Sequence, residues 1–115
     1  MKTLIIGLIL AASSCVAADL TEQHVDRIAD GIYKIEGGDK AKAPYGILSV
    51  KVRDKRHARS ICEQTIRNNW TRWIKAGKPG AFLDYLADKY CPKSADPRGN
   101  RNWKSNIRKV TALSF

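Results

Sequence analysis

Apolar residues recur at helical spacing in four stretches of the chain, and this periodicity is its main structural signal. The four stretches are residues 20–36, 56–76, 81–90 and 102–110. In the first, the apolar positions are Val25, Ile28, Ala29 and Ile32. Spacings of three and four place such residues on one face of a helix. The pattern therefore predicts a mostly α-helical protein with a single domain.

Turn-forming residues separate these stretches. Gly37 and Gly38 follow the first stretch, and glycine is typical of a helix end because it adopts the left-handed conformation at no steric cost. The second half of residues 45–52 alternates in polarity and is rich in β-branched side chains, which predicts a short strand or extended segment. Residues 93–100 contain proline and glycine and are expected to form a loop.

The first 18 residues have the pattern of an export signal. Lys2 precedes an apolar run at residues 4–12 that is too short to span a bilayer as an ordinary helix. Residues 16–18 then supply the small side chains that signal peptidase reads. We expect a signal peptide at 1–18 and an exported domain at 19–115, in the periplasm or secreted. A signal anchor is the alternative interpretation of the same run.

The three cysteines bear on anchoring and on stability. Cys15 ends the segment Ala12-Ser13-Ser14-Cys15, which resembles a lipoprotein box but lacks the usual leucine three places before the cysteine. Soluble export is the preferred interpretation, and a lipoprotein anchored through Cys15 is the alternative. Cys62 and Cys91 are expected to form a disulfide bond, because cysteines in small exported domains usually pair. Two buried thiols are the other interpretation.

The formal net charge is +10, which favours polyanionic partners. Nucleic acid would lead for a cytosolic protein, but the export signal favours anionic envelope polymers, so no nucleic acid is expected as a partner. The sequence has no metal-ligand spacing, no glycine-rich phosphate loop, no CxxC pair and no serine–histidine–aspartate pattern. No cofactor or metal is therefore expected.

Glu36 is the candidate catalytic residue. It stands four positions after Ile32, where the next apolar residue of the helix belongs, and directly before two glycines. Glycoside cleavage needs a carboxylic acid that is still protonated near neutral pH, and apolar surroundings and a helix C-terminus both favour that form. The other two glutamates, Glu22 and Glu63, lie in a first turn and off the apolar stripe. The alternative interpretation is a partly exposed Glu36 paired with a neighbouring cation, either Lys34 or Arg59.

Two further questions concern the chemistry. A two-acid mechanism needs a second carboxylate, but Asp39 lies in a polar loop and Asp54 lies among basic residues. One glutamate acting first as acid and then as base would suffice if the N-acetyl group of the substrate assists.

The three tryptophans could stack on sugars, but helical spacing favours the core. We expect core positions for Trp73 and Trp103 and leave Trp70 open.

Two motifs close to Glu36 are similar to the start of small phage- and bacterium-encoded domains of the lysozyme-like, lytic-transglycosylase superfamily. They are a helix ending at Glu36-Gly37-Gly38, and the segment Pro44-Tyr45-Gly46-Ile47-Leu48-Ser49-Val50 that follows. The likeness continues through residues 58–62, 65–69, 82–87, 89–92 and 102–106. It departs at Leu48 and Ser49, where the family has a glutamine, and in the shorter chain.

The resemblance implies a small lysozyme-like helical fold with a short extended segment after the first helix. It implies a monomer that cleaves the bond between N-acetylmuramic acid and N-acetylglucosamine in peptidoglycan, with Glu36 as general acid and base. The substrate-binding residues that it implies are Tyr45, Gly46, Ile47, Ser49, Tyr90, Asn102 and Asn106.

The alternative function is a non-catalytic, cationic protein of the same fold that binds envelope polymers or nucleic acid. The nucleic-acid version rests on a group of basic residues in the middle of the chain, which are Arg53, Lys55, Arg56, Arg59, Arg67 and Arg72.

Overall fold

The computed structural model describes residues 19–48 and 51–115. The expected signal segment at 1–18, which includes Cys15, lies outside these ranges, and so does Ser49.

Four helices form the described part of the protein, and they pack into one small, mostly α-helical globule. Their bounds are Glu22–Ile35 for α1, Lys55–Lys75 for α2, Phe82–Tyr90 for α3 and Pro97–Thr111 for α4. Two short 3₁₀ turns, Gly38–Lys40 and Pro44–Gly46, lie between α1 and α2. Within the described residues, no helix is both long and apolar enough to cross a membrane.

The first three helices lie within two residues of their predicted limits, and polar caps account for the starts of α1 and α2. Thr21 accepts a hydrogen bond from the backbone of His24 at 3.1 Å, and the ring of His24 accepts one from the backbone of Thr21 at 3.2 Å. This reciprocal pair satisfies two backbone donors that a helix start leaves open. Asp54 caps α2 by accepting one hydrogen bond from the backbone of His57 at 2.8 Å.

The start of α4 differs from its prediction. We expected residues 93–100 to form a loop and the helix to begin at 102, but α4 begins at Pro97. Asp96 caps it by accepting a hydrogen bond from the backbone of Gly99 at 2.9 Å. Proline at the first helical position lacks only a donor that would be unpaired anyway, so here it starts a helix.

The connection between α1 and α2 contains no strand among its described residues. Tyr45 (φ 59°) and Gly46 (φ 68°) both adopt the left-handed conformation, so the chain turns where the alternating pattern predicted a strand to begin. Ile47 is extended (φ −82°, ψ 107°), as the coarser prediction of an extended segment requires. The described part offers no neighbouring strand to pair with, and an isolated strand is not stable in water.

The core lies where the four helices meet, with α1 against both α2 and α4, and α3 against α2 and α4. Gly31 allows α1 and α4 to approach closely, because a Cβ atom there would lie 2.8 Å from Thr111 Cγ2. All three tryptophans are buried, which confirms the core positions predicted for Trp73 and Trp103 and adds Trp70. Trp70 packs against Trp73, Phe82 and Phe115, with ring centroids 4.9–5.5 Å apart.

Candidate active site

Glu36 caps the C-terminal end of α1, and its side chain is half-buried. Its backbone N–H donates to the carbonyl of Ile32 at 2.9 Å. Gly37 then takes a left-handed conformation (φ 112°) that ends the helix, as predicted from the glycine pair. The carboxylate oxygen Oε2 accepts a hydrogen bond from the indole Nε1 of Trp103 at 3.0 Å. This bond joins the end of α1 to the middle of α4.

Gly46 lies against the other side of the Glu36 carboxylate. A Cβ atom placed on Gly46 would lie 2.8 Å from both Cδ and Oε1 of Glu36, a distance that real Cβ contacts do not show. Only glycine can therefore bring the backbone of the Pro44–Gly46 turn so close to the carboxylate. The carboxylate is held between this backbone and the indole of Trp103.

In the described part of the chain, no salt bridge involves Glu36. The alternative interpretation paired it with Lys34 or Arg59. Arg59 instead contacts Asp30 at 2.7 Å and Glu63 at 2.9 Å. Glu36 thus has a neutral hydrogen-bond donor as its partner, whereas Glu63 has a cation.

Tyr90 borders the site on the side of α3. Its ring stacks on the indole of Trp103, with centroids 5.2 Å apart and planes 14° from parallel. Its hydroxyl lies 3.7 Å from the thiol of Cys62. Burial is the main cause that raises the pKa of Tyr90, and the neighbouring Cys62 and Glu36 raise it further. Burial also raises the pKa of Cys62 to about 11, so both groups are neutral at pH 7.

The predicted disulfide bond between Cys62 and Cys91 is not present, and both residues are free thiols. Cys62 is buried inside the core, where its sulfur contacts the hydroxyl of Tyr90. Cys91 is only half-buried, and its sulfur lies near Gly99, 3.1 Å from where a Cβ atom would stand. The two sulfurs therefore have different neighbours, and packing rather than a covalent bond joins α3 to α2.

A cleft of about 190 Å³ opens next to the Pro44–Gly46 turn, and Glu36 itself is not among the residues that line it. Gly46 and Tyr90, which both neighbour Glu36, form part of its wall, and the exposed side chain of Leu48 forms its rim. The remaining wall residues are Ile47, Ile61, Thr65 and Lys89. The structure thus brings together Glu36, Gly46, Ile47 and Tyr90 of the predicted site residues.

Other predicted site residues lie elsewhere. Tyr45 is only 3% exposed, belongs to the core and is not among the residues that line the cleft. Its ring packs on Tyr33, and its hydroxyl accepts a hydrogen bond from Arg59 at 3.3 Å. Asn102 and Asn106 are exposed on α4 and are not among the residues that line the cleft.

The two candidates for a second carboxylate have other roles. Asp39 is exposed and accepts hydrogen bonds from the Tyr33 hydroxyl and from Lys55, and these bonds lower its pKa. Asp54 caps α2. Within the described ranges, no three histidine, cysteine, aspartate or glutamate side chains are grouped as a metal site would need.

The contact between Trp103 and Glu36 was not predicted. Trp103 was expected to be a core residue, and it is one, but its indole nitrogen also supplies the hydrogen bond to Glu36. A buried indole N–H usually has an acceptor, but the signal is weak, since the buried Nε1 of Trp73 has none among the described residues. The partner lies 67 positions away, so it could not be identified without the fold.

Comparison of the chain with protein-family models, with curated proteins and with solved structures found no match. None of these comparisons links the chain to the lysozyme-like superfamily, and the resemblance therefore stays an expectation from the sequence motifs.

Proposed function

We propose that this protein cleaves the glycan strands of peptidoglycan between N-acetylmuramic acid and N-acetylglucosamine, with Glu36 as the single general acid and base. The observation that carries the proposal is the setting of Glu36. Its carboxylate lies between the Trp103 indole and the Gly46 backbone, and Gly46 also lines the neighbouring cleft. Among the described residues it has no salt-bridge partner, so no cation there holds it away from a substrate.

In the proposed reaction, Glu36 first donates its proton to the glycosidic oxygen as the bond from that oxygen to C1 breaks. The N-acetyl oxygen of the substrate bonds to C1 and stabilises the developing positive charge. The oxygen of a nucleophile then attacks C1 and displaces the N-acetyl oxygen. The proton of the nucleophile goes to Glu36, which restores the acid. Water as nucleophile leaves a reducing end, and the 6-hydroxyl of the same muramic acid leaves a 1,6-anhydro end.

Trp103 has a positioning role in this mechanism. Its indole N–H donates to Oε2 of Glu36, which fixes the carboxylate and stabilises the negative charge that appears after proton transfer. The roles of Asp39 and Asp54 outside the site support a mechanism with one carboxylate.

Ion pairs occupy part of the basic group on which the nucleic-acid alternative rests. Three of the six basic residues on which the nucleic-acid alternative rests are held in ion pairs. Lys55 contacts Asp39 at 3.1 Å, Arg59 contacts Asp30 at 2.7 Å and Arg67 contacts Glu22 at 2.7 Å. The net charge of +10 still favours adsorption to an anionic wall. The expected signal peptide would deliver the domain to that wall.

The test compares wild-type protein with Glu36→Gln on purified peptidoglycan, and it measures soluble products by mass spectrometry. Loss of one general acid should slow release by about 10²- to 10⁴-fold. Glu22→Gln is the matched control, because it makes the same change at an exposed glutamate of the same helix. It should release products at the wild-type rate.

Equal release by wild type and Glu36→Gln would remove Glu36 from the mechanism. No release by wild type, with wall binding retained by both variants, would instead make the protein an envelope binder. High DNA affinity that falls steeply with salt, without wall cleavage, would favour the nucleic-acid alternative.

A further inference from the structure

A second concavity adjoins the cleft next to the Pro44–Gly46 turn. It measures about 320 Å³, and Lys89 lines both spaces. On α2, Thr65 lines the first space, and Asn69 and Arg72 line the second. Spacings of four and three keep these residues on one face of the helix. We call the combined depression between α2 and α3, from Thr65 to Arg72 and from Tyr90 to Tyr85, the α2–α3 groove.

The groove carries two cations that have no acidic partner within the described residues. Arg72 and Lys89 are both exposed, and neither belongs to a salt bridge there. Asp88 also lines the groove, but Lys104 contacts its carboxylate at 3.3 Å and Asn100 donates to it at 2.9 Å. The carboxylate is thus already compensated, and the groove is left with the positive charge of Arg72 and Lys89.

Asn69 gives the groove a fixed polar group. Its side chain is only 3% exposed, yet it lines the second space. Its amide nitrogen donates to the carbonyl of Thr65 at 2.8 Å, which orients the group. Its Oδ1 accepts no hydrogen bond from the described residues, so it can accept one from a ligand, such as a peptide N–H.

The size of the groove lies within the range that is usual for sites that bind small ligands. Sites for small ligands usually measure about 300–1,000 Å³, and the first cleft alone, at about 190 Å³, falls below that range. The second space brings the groove into the range. The glycan can occupy the end near Glu36 while an anionic substituent lies along α2 and α3.

We infer that the α2–α3 groove binds the peptide stem of peptidoglycan. In this complex Arg72 and Lys89 pair with carboxylates of the stem, and Oδ1 of Asn69 accepts a hydrogen bond from an amide N–H of the stem. This inference rests on the proposed function, since it names the part of the same substrate that the chain recognises. The stem then selects glycan strands that carry peptides over chitin-like chains or strands without peptides.

The test measures binding to purified walls from which phosphate-containing polymers have been removed, so that carboxylates are the remaining anions. The protein carries Glu36→Gln, which prevents cleavage during the measurement. The groove variant is Arg72→Gln with Lys89→Gln. The matched control is Arg101→Gln with Lys109→Gln, which removes the same charge from exposed α4 residues that line neither space. Circular dichroism checks that all variants are folded.

The groove variant should bind walls about three- to tenfold more weakly, as expected for two solvent-facing ion pairs. The control should lose clearly less affinity than the groove variant, because it lowers the net charge by the same amount but removes no charge from the groove. On glycan strands treated with an amidase that removes the stems, the groove variant and the control should bind equally.

Equal losses in the groove variant and the control would overturn the inference and reduce the effect to net charge. A groove-specific loss that persists on stem-free strands would also overturn it, because the cations would then contact the glycan. Product release by the protein with Glu36 intact is measured separately. If the protein with Glu36 intact released no products but the groove variant still bound stem-carrying walls more weakly than the control, only the proposed function would be contradicted.

Discussion

Glu36 and Gly46 form the contact on which the candidate site depends most directly. The glutamate could be identified from the sequence because it interrupts an apolar helix face before two glycines. The reason for glycine at position 46 could not, because it lies in a tertiary contact. A Cβ atom there would meet the carboxyl group at 2.8 Å, so the residue is needed both for its backbone conformation and for space.

Gly46→Ala should therefore impair both stability and activity. Gly80→Ala is a close control, because Gly80 has nearly the same φ (+69° against +68°) but no atom within 4 Å of its Cβ position. Both changes should cost about 1–2 kcal/mol in the free energy of unfolding, from the left-handed backbone alone. The Cβ atom of Gly46→Ala meets the end of a flexible side chain, so the variant should differ from Gly80→Ala mainly in activity: it should slow product release about a hundredfold, because the carboxylate is displaced.

Urea unfolding and product release measure the two effects. The contact between Gly46 and Glu36 would be unimportant if both variants lost the same stability and both kept wild-type activity.

At the scale of secondary structure, the helix ends show where local patterns suffice. The caps of α1 and α2 lie where helix periodicity also begins, so the two signals agree. At α4 they disagree. Apolar periodicity begins near Trp103, but the helix begins at Pro97, because Asp96 caps a polar first turn that has no periodic apolar residue. The additional turn brings Asn100 into the core, where it donates to the carbonyl of Cys91 at 2.8 Å.

Asp96→Ala should lower the free energy of unfolding by about 0.5–2 kcal/mol, as loss of an N-cap does. Asp96→Asn retains an oxygen that can accept from Gly99 and should cost much less. Urea denaturation of both variants measures the difference. If alanine and asparagine behaved alike, the hydrogen bond from Gly99 to Asp96 would not be what stabilises this first turn.

At the scale of the whole molecule, groups with shifted pKa values on different elements make stability depend on pH. Hydrogen bonds from Tyr33 and Lys55 lower the pKa of Asp39. At Asp88, desolvation acts to raise the pKa, but hydrogen bonds from Asn100 and Lys104 lower it overall. An acid whose folded-state pKa is lowered contributes stability above its unfolded pKa, and this contribution is lost as the pH falls through the folded value. The pKa values of Cys62 and Tyr90 are raised in the folded protein. Their contribution to stability is therefore lost as the pH rises.

The free energy of unfolding should therefore be highest between about pH 5 and pH 8. It should fall below the unfolded aspartate pKa of 3.8, because the unfolded chain then binds more protons than the folded one. It should also fall above pH 9.0, where Cys62 ionises in the unfolded chain but remains protonated in the folded one.

Denaturant unfolding at a series of pH values measures this profile, and two variants separate its acid and alkaline parts. Asp88→Asn should reduce only the loss of unfolding free energy at low pH, and Tyr90→Phe should reduce only the loss at high pH. A profile that is flat from pH 3 to pH 11 would contradict the assigned shifts.

The sequence by itself determined the helical class, the limits of three helices, the end of α1 just before Glu36 and the selection of Glu36 as the candidate residue, because each depends on residues within a few positions of one another. Only the tertiary structure decided the partners. It placed Trp103 on Glu36, buried Tyr45, kept Cys62 and Cys91 apart as thiols and joined two spaces through Lys89. These outcomes depend on how helices distant in sequence pack together, and no local spacing encodes that packing.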